Sequence, residues 1–330
     1  MKRIIISLII FLFLGFEDIK EININAIGDC TLGNYYGQDY KYSFDYIFDT
    51  KKDYSYFFKN VRGLFKKDDL TIANLEGPLT NSKDLKIKNA SISYNFKGKK
   101  EYAKILKEGY VDVVNLSNNH IYDYGKKGYE DTLAALKSNG LDWYGNGRIL
   151  IKNVKGIKIG ILGYKLFGLE KLNVKSYKAY LLKEVQKVRK NCDYLIVTFH
   201  WGEENEYFPN KIQREIAHFL IDNGVDLILG HHPHVLQGIE NYKGKYIAYS
   251  LGNFCYGGNR KPRDFDTVIL NIKIKFSSQN KTLGTEINII PCSISSTKNI
   301  NDYCPKILKG QEKNRVLNKI KSLSKDLGEY

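Results

Sequence analysis

Residues 227–238 read LILGHHPHVLQG, an aliphatic run that ends in three histidines within four positions. The whole chain of 330 residues holds six histidines, so half of them stand at this one place. A short apolar run bounded by glycine and proline reads as a buried strand, and in parallel α/β sheets ligand-binding groups collect at the carboxyl ends of strands. The same arrangement recurs on either side. Asp29 ends ININAIGD, Glu76 follows DLTIANL, Ser117 to His120 close YVDVVNLSNNH, and His200 stands near the end of DYLIVTFHWGEE. Five of the six histidines therefore fall at strand ends, beside two carboxylates and an asparagine amide.

Between these runs lie amphipathic stretches such as KKGYEDTLAALKSNG (126–140) and KIQREIAHFLIDNG (211–224), each closed by Asn-Gly, which suits a left-handed helix cap. Strands alternating with helices predict an α/β architecture. Later, FDTVILNIKIKF and TEINIIPCSIS alternate apolar and polar residues in the manner of antiparallel strands. No repeat, low-complexity segment or Pro/Gly linker interrupts the pattern, so one domain is expected over 21–300. The last segment, 301–330, is read as a basic amphipathic helix packed on that domain, with Val316, Ile320, Leu323 and Leu327 on one face. The alternative is a helix that docks on a membrane surface or polymer.

Residues 1–20 carry Lys2 and Arg3, an apolar stretch from Ile4 to Phe16, and then charges. Thirteen residues are short for a bilayer core of ~30 Å, which needs about 20. A signal peptide fits better, an uncleaved membrane anchor remains open, and both place the protein outside the cytoplasm: at the cell surface, membrane-anchored or secreted. The remaining reading is a buried first element. The five cysteines (Cys30, Cys192, Cys255, Cys292, Cys304) show no C-x-x-C spacing and are odd in number, so they read as small buried hydrophobes with room for one disulfide. A formal charge of +15 favours an anionic partner, although the lysines are scattered instead of blocked. No basic stripe interleaved with aromatics appears, and nucleic acid is not expected as a partner.

The chemistry shared by the strand-end residues is metal binding. Imidazoles, carboxylates and an asparagine carbonyl make a mixed N/O donor set suited to Mn, Zn or Fe, and the number of donors exceeds one tetrahedral site. Two ions sharing a carboxylate would accommodate them. A His-x-His segment in extended conformation would place His232 and His234 on one side, with Pro233 fixing the backbone and His231 turned away. Glu203 could orient an imidazole or lie on the surface; Trp201 could wall the cleft or belong to the core; Lys97 could meet an anionic substrate or be an ordinary surface lysine. His218, opposite the apolar face of its helix, is expected to face solvent without a role.

The ordered series GDCTLG, NLEGPLT, NLSNNHIYDYG, HWGEENEY, GHHPHVLQGIE and YSLGNF, from about Ile24 to Phe254, resembles the CapA family of poly-γ-glutamate capsule synthesis proteins, a branch of the calcineurin-like metallophosphoesterase superfamily. The resemblance implies a four-layer α/β/β/α sandwich with one or two divalent ions between loop ends. It implies Asp29 on the first metal, Glu76 bridging, Asn119, His200 and His232 on the second, His234 returning to the first, and His120 assisting at the phosphoryl or leaving oxygen. Thr31, Asn118, Asp123 and Asn253, in the same motifs, are candidates for supporting or substrate contacts. Three positions depart from the superfamily pattern. Asp29-Cys30-Thr31 stands where Asp-x-His is usual, Glu76 replaces an Asp, and Asn118 replaces the Gly before Asn-His.

The function implied is extracytoplasmic: synthesis, export or anchoring of an anionic capsule polymer, with a metal-dependent, phosphoesterase-like hydrolase site. The implied partners are that polymer or a phosphorylated substrate, and membrane-bound capsule synthase subunits. The alternative is a non-enzymatic metal-containing scaffold for such a synthase.

Overall fold

The computed structural model describes residues 19–88, 94–167 and 174–327. The apolar stretch from Ile4 to Phe16, read above as a signal or anchor, lies outside them. Among the described residues no helix is long and apolar enough to cross a membrane.

In chain order the strands are β1 (Lys20–Thr31), β2 (Asn34–Tyr35), β3 (Leu70–Leu75), β4 (Phe96–Lys97), β5 (Val113–Asn115), β6 (Asp142–Tyr144), β7 (Leu150–Val154) and β8 (Ile157–Leu166). They continue with β9 (Tyr194–Trp201), β10 (Leu227–His231), β11 (Ile239–Tyr242), β12 (Lys245–Ala248), β13 (Asn253–Tyr256), β14 (Asp266–Phe276), β15 (Thr282–Ser293) and β16 (Lys306–Ile307). Two sheets dominate. The first runs β16-β15-β14-β1-β3-β5-β6, with β13 also paired to β1; the second runs β11-β12-β10-β9-β8-β7. The strands that end in candidate site residues pair in parallel, β1 with β3, β3 with β5, and β9 with β10. The alternating runs late in the chain form the antiparallel pair β14 and β15.

Three apolar layers separate four structural layers. Ile22, Ile24, Leu70, Ile72, Ile196, Leu227, Leu229 and Leu270 fill the space between the sheets. The outer face of the first sheet is covered through Phe44, Phe57, Ile105 and Leu136. Helices Val174–Arg189 and Lys211–Asp222 cover the outer face of the second through Leu181, Val185, Ile216 and Leu220. The result is an α/β/β/α sandwich. Helices Gly125–Ser138 and Lys211–Asp222 both end at Asn followed by a glycine with positive φ, Gly140 at 67° and Gly224 at 95°. Helix Gly310–Ser324 buries Val316, Ile320 and Leu323 in the layer between the sheets, touching β11 of one sheet and β15 of the other. It closes the side of the sandwich.

The parity of β1 matters for the site. Ile22, Ile24 and Ala26 point between the sheets, and strict alternation would send Gly28 and Cys30 the same way. A register irregularity between Ala26 and Asp29 reverses this, so Cys30 joins the outer apolar layer and Asp29 takes the inner face. All five cysteines are buried and free, so no disulfide forms among them. Burial pushes the Cys30 thiol up to about 12, leaving it a packing residue.

Candidate metal centre

The inner-face parity of the two sheets aims polar side chains at one another across the mouth of the sandwich. On β9, Tyr194 and Ile196 lie in the inner apolar layer, so His200, in step with them, points inward; Leu227 and Leu229 do the same for His231 on β10. Asn74 continues the inner face of Leu70 and Ile72. Its amide nitrogen lies 2.8 Å from Asp29 Oδ1 and 3.2 Å from His200 Nδ1, tying the two sheets together. Asn115 donates to Asn74 Oδ1 at 3.0 Å, so the amide is held from behind.

The residues Asp29, Glu76, Asn119, His200, His232 and His234 converge here. His200 Nε2 is 2.8 Å from Asn119 Oδ1 and 3.3 Å from Glu76 Oε1. His234 Nε2 is 3.8 Å from the same Glu76 oxygen, and its Nδ1 is 3.5 Å from Asp29 Oδ2. Three sets of ligand atoms lie within 4.8 Å of one another: Glu76, His200 and His232; Asp29, Glu76 and His234; Glu204, His232 and His234. Glu76 belongs to two of them. A shared carboxylate is what two adjacent cations require.

The donors fit divalent cations. Glu76 Oε1, both ring nitrogens of His231 and Nδ1 of His232 are buried without a hydrogen-bond partner. Buried polar atoms left unpaired cost about 1–3 kcal/mol each, so a cluster of them is stable only if something else satisfies it. The electrostatics agree. Burial, reinforced by neighbouring histidines, pushes His200 and His232 well below the usual imidazole range, which keeps their lone pairs available. Burial and Glu76 would raise Asp29, but the His231 ring, with Nδ1 3.4 Å from Oδ1, and the proximity of His200 outweigh them and hold it low. His234 is drawn down by burial yet raised overall by Glu76, Asp29 and Glu204.

Supporting contacts come from several of the motif residues. Asn253 Oδ1 meets His234 Nδ1 at 2.9 Å, and its amide donates to the His234 carbonyl at 3.2 Å, which leaves Nε2 facing Glu76. Thr31 places its hydroxyl 3.4 Å from Glu76 Oε2, a small oxygen group beside the shared carboxylate. Asn118 shapes the turn, accepting from the His120 amide at 3.1 Å and donating to the Leu75 carbonyl at 2.8 Å. His120 Nδ1 sits 2.7 Å from Asp123 Oδ2. Asp123 also accepts from the Phe96 amide at 2.8 Å and pairs with Lys88 at 2.6 Å.

The structure corrects the readings of His231, of the His-x-His segment and of His218, and decides between the alternatives given for Glu203, Lys97 and Trp201. His231 does not turn away: strand parity carries it inward, Nδ1 3.4 Å from Asp29 Oδ1. The His-x-His segment is not extended, since β10 stops at His231 and both His232 (φ 95°) and His234 (φ 58°) adopt left-handed backbone. Glu203 is exposed, and its neighbour Glu204 supplies the carboxylate near His232 and His234. Lys97 points elsewhere, donating to the Ser82 carbonyl at 2.8 Å with its ammonium over the Tyr124 ring; Lys88 is the lysine at the site. Trp201 is fully buried in the outer layer, its indole N–H on the Tyr249 carbonyl. His218 stacks on Tyr242 and bonds Glu240 at 2.8 Å, which pins its helix to β11.

His234, His120 and Asn119 open onto a cleft of about 670 Å³, a size suited to a small molecule or a chain segment. Its walls include Tyr94, Tyr256, Arg260 and Arg263. The two arginines have no motif around them and could have been found only through the charge of the segment that follows YSLGNF.

A model of the family described as bacterial capsule synthesis protein PGA_cap matches residues 23–257. The chain is 30% identical over 329 residues to the capsule biosynthesis protein CapA of Bacillus anthracis, covering 93% of this chain and 74% of that one. It is 35% identical over 233 residues to the PGA biosynthesis protein CapA of Bacillus subtilis (strain 168), covering 66% of this chain and 61% of that one, and so spans less than two thirds of that relative's length. Similarity to solved structures is distant: a 5'-nucleotidase from Candida albicans aligns over 93% of this chain and 58% of its own, with 12% identity and a TM-score of 0.43, so the fold described above rests on this chain's own strands. The chain belongs to the bacterial capsule synthesis protein family PGA_cap, and the matched span contains every residue of the centre.

Proposed function

We propose that this protein is an exported, cell-surface member of its family. It acts in the synthesis, export or anchoring of an anionic capsule polymer of the poly-γ-glutamate type, through a centre that holds two divalent cations and hydrolyses a phosphoester or processes the polymer. The observation that carries the reading is the Glu76 carboxylate, buried between His200 Nε2 at 3.3 Å and His234 Nε2 at 3.8 Å with Oε1 unpaired. The similarity to the Bacillus capsule biosynthesis and PGA biosynthesis proteins supports the biological setting.

Asp29, Glu76 and His234 would hold one cation, and Glu76, Asn119, His200 and His232 the other. When bound, such ions supply Lewis-acid polarisation and neutralise charge that grows on a phosphoryl group. The protein's own groups do the rest. His120, on the cleft wall, is placed to give a proton to the departing oxygen from Nε2, because Asp123 engages its Nδ1. Asp123 is itself fixed by Lys88 and the Phe96 amide, so the imidazole is oriented before substrate arrives.

A second reading, a metal-holding scaffold for a membrane synthase, draws on Thr31: a hydroxyl in place of an imidazole leaves the first set one nitrogen short. One experiment separates the two. Bound Mn, Zn and Fe are counted, and phosphomonoester, phosphodiester and polyglutamate hydrolysis assayed, for wild type, Asp29→Ala and His232→Ala. Metal-dependent turnover lost in both variants supports the hydrolase. One equivalent of metal with no turnover on any substrate defeats it in favour of the scaffold.

A further inference from the structure

The matched family span ends at residue 257, and the outer wall of the cleft begins at Gly258. This wall, residues 258–264, carries Arg260 and Arg263. Arg260 lies 4.5 Å over the ring of Tyr42 and donates from Nη1 to the Lys41 carbonyl at 3.2 Å. Arg263 is exposed, with its guanidinium 6.0 Å from the Tyr207 ring. Among the described residues neither has a carboxylate partner, although Lys88, Arg315 and Lys319 nearby do. A guanidinium held against an aromatic face keeps its fork of N–H donors free for a planar or tetrahedral anion.

The wall is held from two sides by residues that also lie beyond 257. Asn301, buried, donates its amide to the carbonyls of Tyr256 at 2.7 Å and Asn259 at 3.1 Å, and its backbone N–H reaches the Arg260 carbonyl at 2.8 Å. From the other side, Arg315 grips Asp266 through two bonds of 2.8 and 2.6 Å, and Lys319 pairs with both Asp264 and Asp266. Tyr207 donates to Asp264 at 3.1 Å. The carboxylate next to Arg263 is thus claimed by the closing helix Gly310–Ser324, and the arginine is left without it. Of the remaining acids in the cleft, Asp39 accepts from the Lys41 amide and Glu204 lies beside His232 and His234.

We propose that Arg260 and Arg263 form a recognition rim for a second anionic group of the substrate, one displaced along the chain from the group at the metal centre, and that Lys319, Arg315 and Asn301 position this rim. The inference rests on the reading of the centre as a site for anionic substrates. It separates two tasks: the family span bears the chemistry, and the segment after it reads the length and charge of what is bound. The ligand class is an extended anion, with phosphates or carboxylates in series.

Calorimetric titration of the 330-residue chain with three probes tests this: inorganic phosphate, tripolyphosphate and tetraglutamate. Wild type is expected to bind at least one extended anion more tightly than phosphate, and whichever it prefers identifies phosphate or carboxylate as the repeating group. Arg260→Gln and Arg263→Gln should each weaken that extended anion by about tenfold, as expected for a lost charge-assisted contact, while phosphate binding in the presence of Mn²⁺ changes less than about twofold. The double variant Arg315→Met/Lys319→Met, which touches no ligand, should show the same loss on the extended anion alone. If it does not fold, exposed Arg263→Gln decides by itself. Equal binding of extended anions by wild type and both arginine variants overturns the rim, as does a wild type that prefers neither extended anion. Failure of Mn²⁺ to promote phosphate binding in wild type would instead count against the metal centre, and the extended-anion comparison would still judge the rim.

Discussion

Replacing Glu76 with glutamine should make the metal-free protein more stable and the metal-loaded protein less so. Asp29 and Glu76 are 0% and 1% exposed, and their ligand oxygens lie within 4.8 Å of each other. Two carboxylate charges at such a separation repel by about 3 kcal/mol at an effective dielectric of about 20. Part of this is offset by the attraction of Glu76 for His234, whose imidazole the neighbouring carboxylates raise, whereas burial keeps His200 and His232 neutral. Glu76→Gln keeps the shape and removes one charge, so a gain of roughly 1–2 kcal/mol is expected in EDTA. With Mn²⁺ at a hundredfold excess over its dissociation constant, wild type gains about 2.7 kcal/mol, whereas a variant without the shared carboxylate gains little. The order of stability should therefore reverse between the two buffers. Urea unfolding followed by tryptophan fluorescence, run in EDTA and in Mn²⁺, reads this directly. A variant less stable than wild type in both buffers, or an equal Mn²⁺ gain in both proteins, would refute the reasoning.

Three further outcomes are expected. Asp123→Asn should lower phosphoester turnover by about a hundredfold with metal content unchanged, since it disturbs only the group that orients His120; an unchanged kcat would remove Asp123 from the mechanism. Gly230→Ala should cost about 3 kcal/mol or more in urea unfolding, because its Cβ would fall 1.9 Å from the Tyr249 carbonyl oxygen and 2.7 Å from Trp201 Nε1; a loss under about 0.5 kcal/mol would contradict the packing of β10 against its neighbours. Burial raises Asp68 to about 7 despite hydrogen bonds from Thr71 and Asn25, so the folded protein keeps a proton that the unfolded chain releases near pH 4. Its contribution to stability is then fullest below about pH 4 and declines as pH rises toward 7, and Asp68→Asn should lack that decline. Unfolding free energies of the two proteins that stay parallel from pH 4 to 7 would exclude it.

The candidate residues legible in the sequence share one property: each stands at a strand end that local pattern reveals. Asp29, Glu76, Asn119, His200, His232 and His234 follow apolar runs cut by glycine, asparagine or proline, and both signals are local. What the sequence left open or misplaced shares a property as well. Choosing Glu203 over Glu204, or Lys97 over Lys88, requires knowing where a side chain points after a turn, and that is set by contacts with segments far away in the chain. Lys88 reaches Asp123, 35 positions on, and Glu204 reaches His232 and His234. His218 looked solvent-facing on its own helix because its partner, Glu240, belongs to another strand.

Periodicity and punctuation by themselves determined the α/β class, the late antiparallel pair and which strand ends carry the converging side chains Asp29, Glu76, Asn119, His200, His232 and His234, because burial selects residue types strand by strand. What only the tertiary structure decided is direction. The irregularity after Ala26 turns Asp29 inward, strand parity turns His231 toward it, and left-handed backbone at His232 and His234 replaces the extended geometry that spacing predicts. The same holds for the pairing of Lys319 and Arg315 with Asp264 and Asp266, which join residues some fifty positions apart. Direction depends on which distant groups share a cavity, and that becomes defined only when the two sheets close on one another.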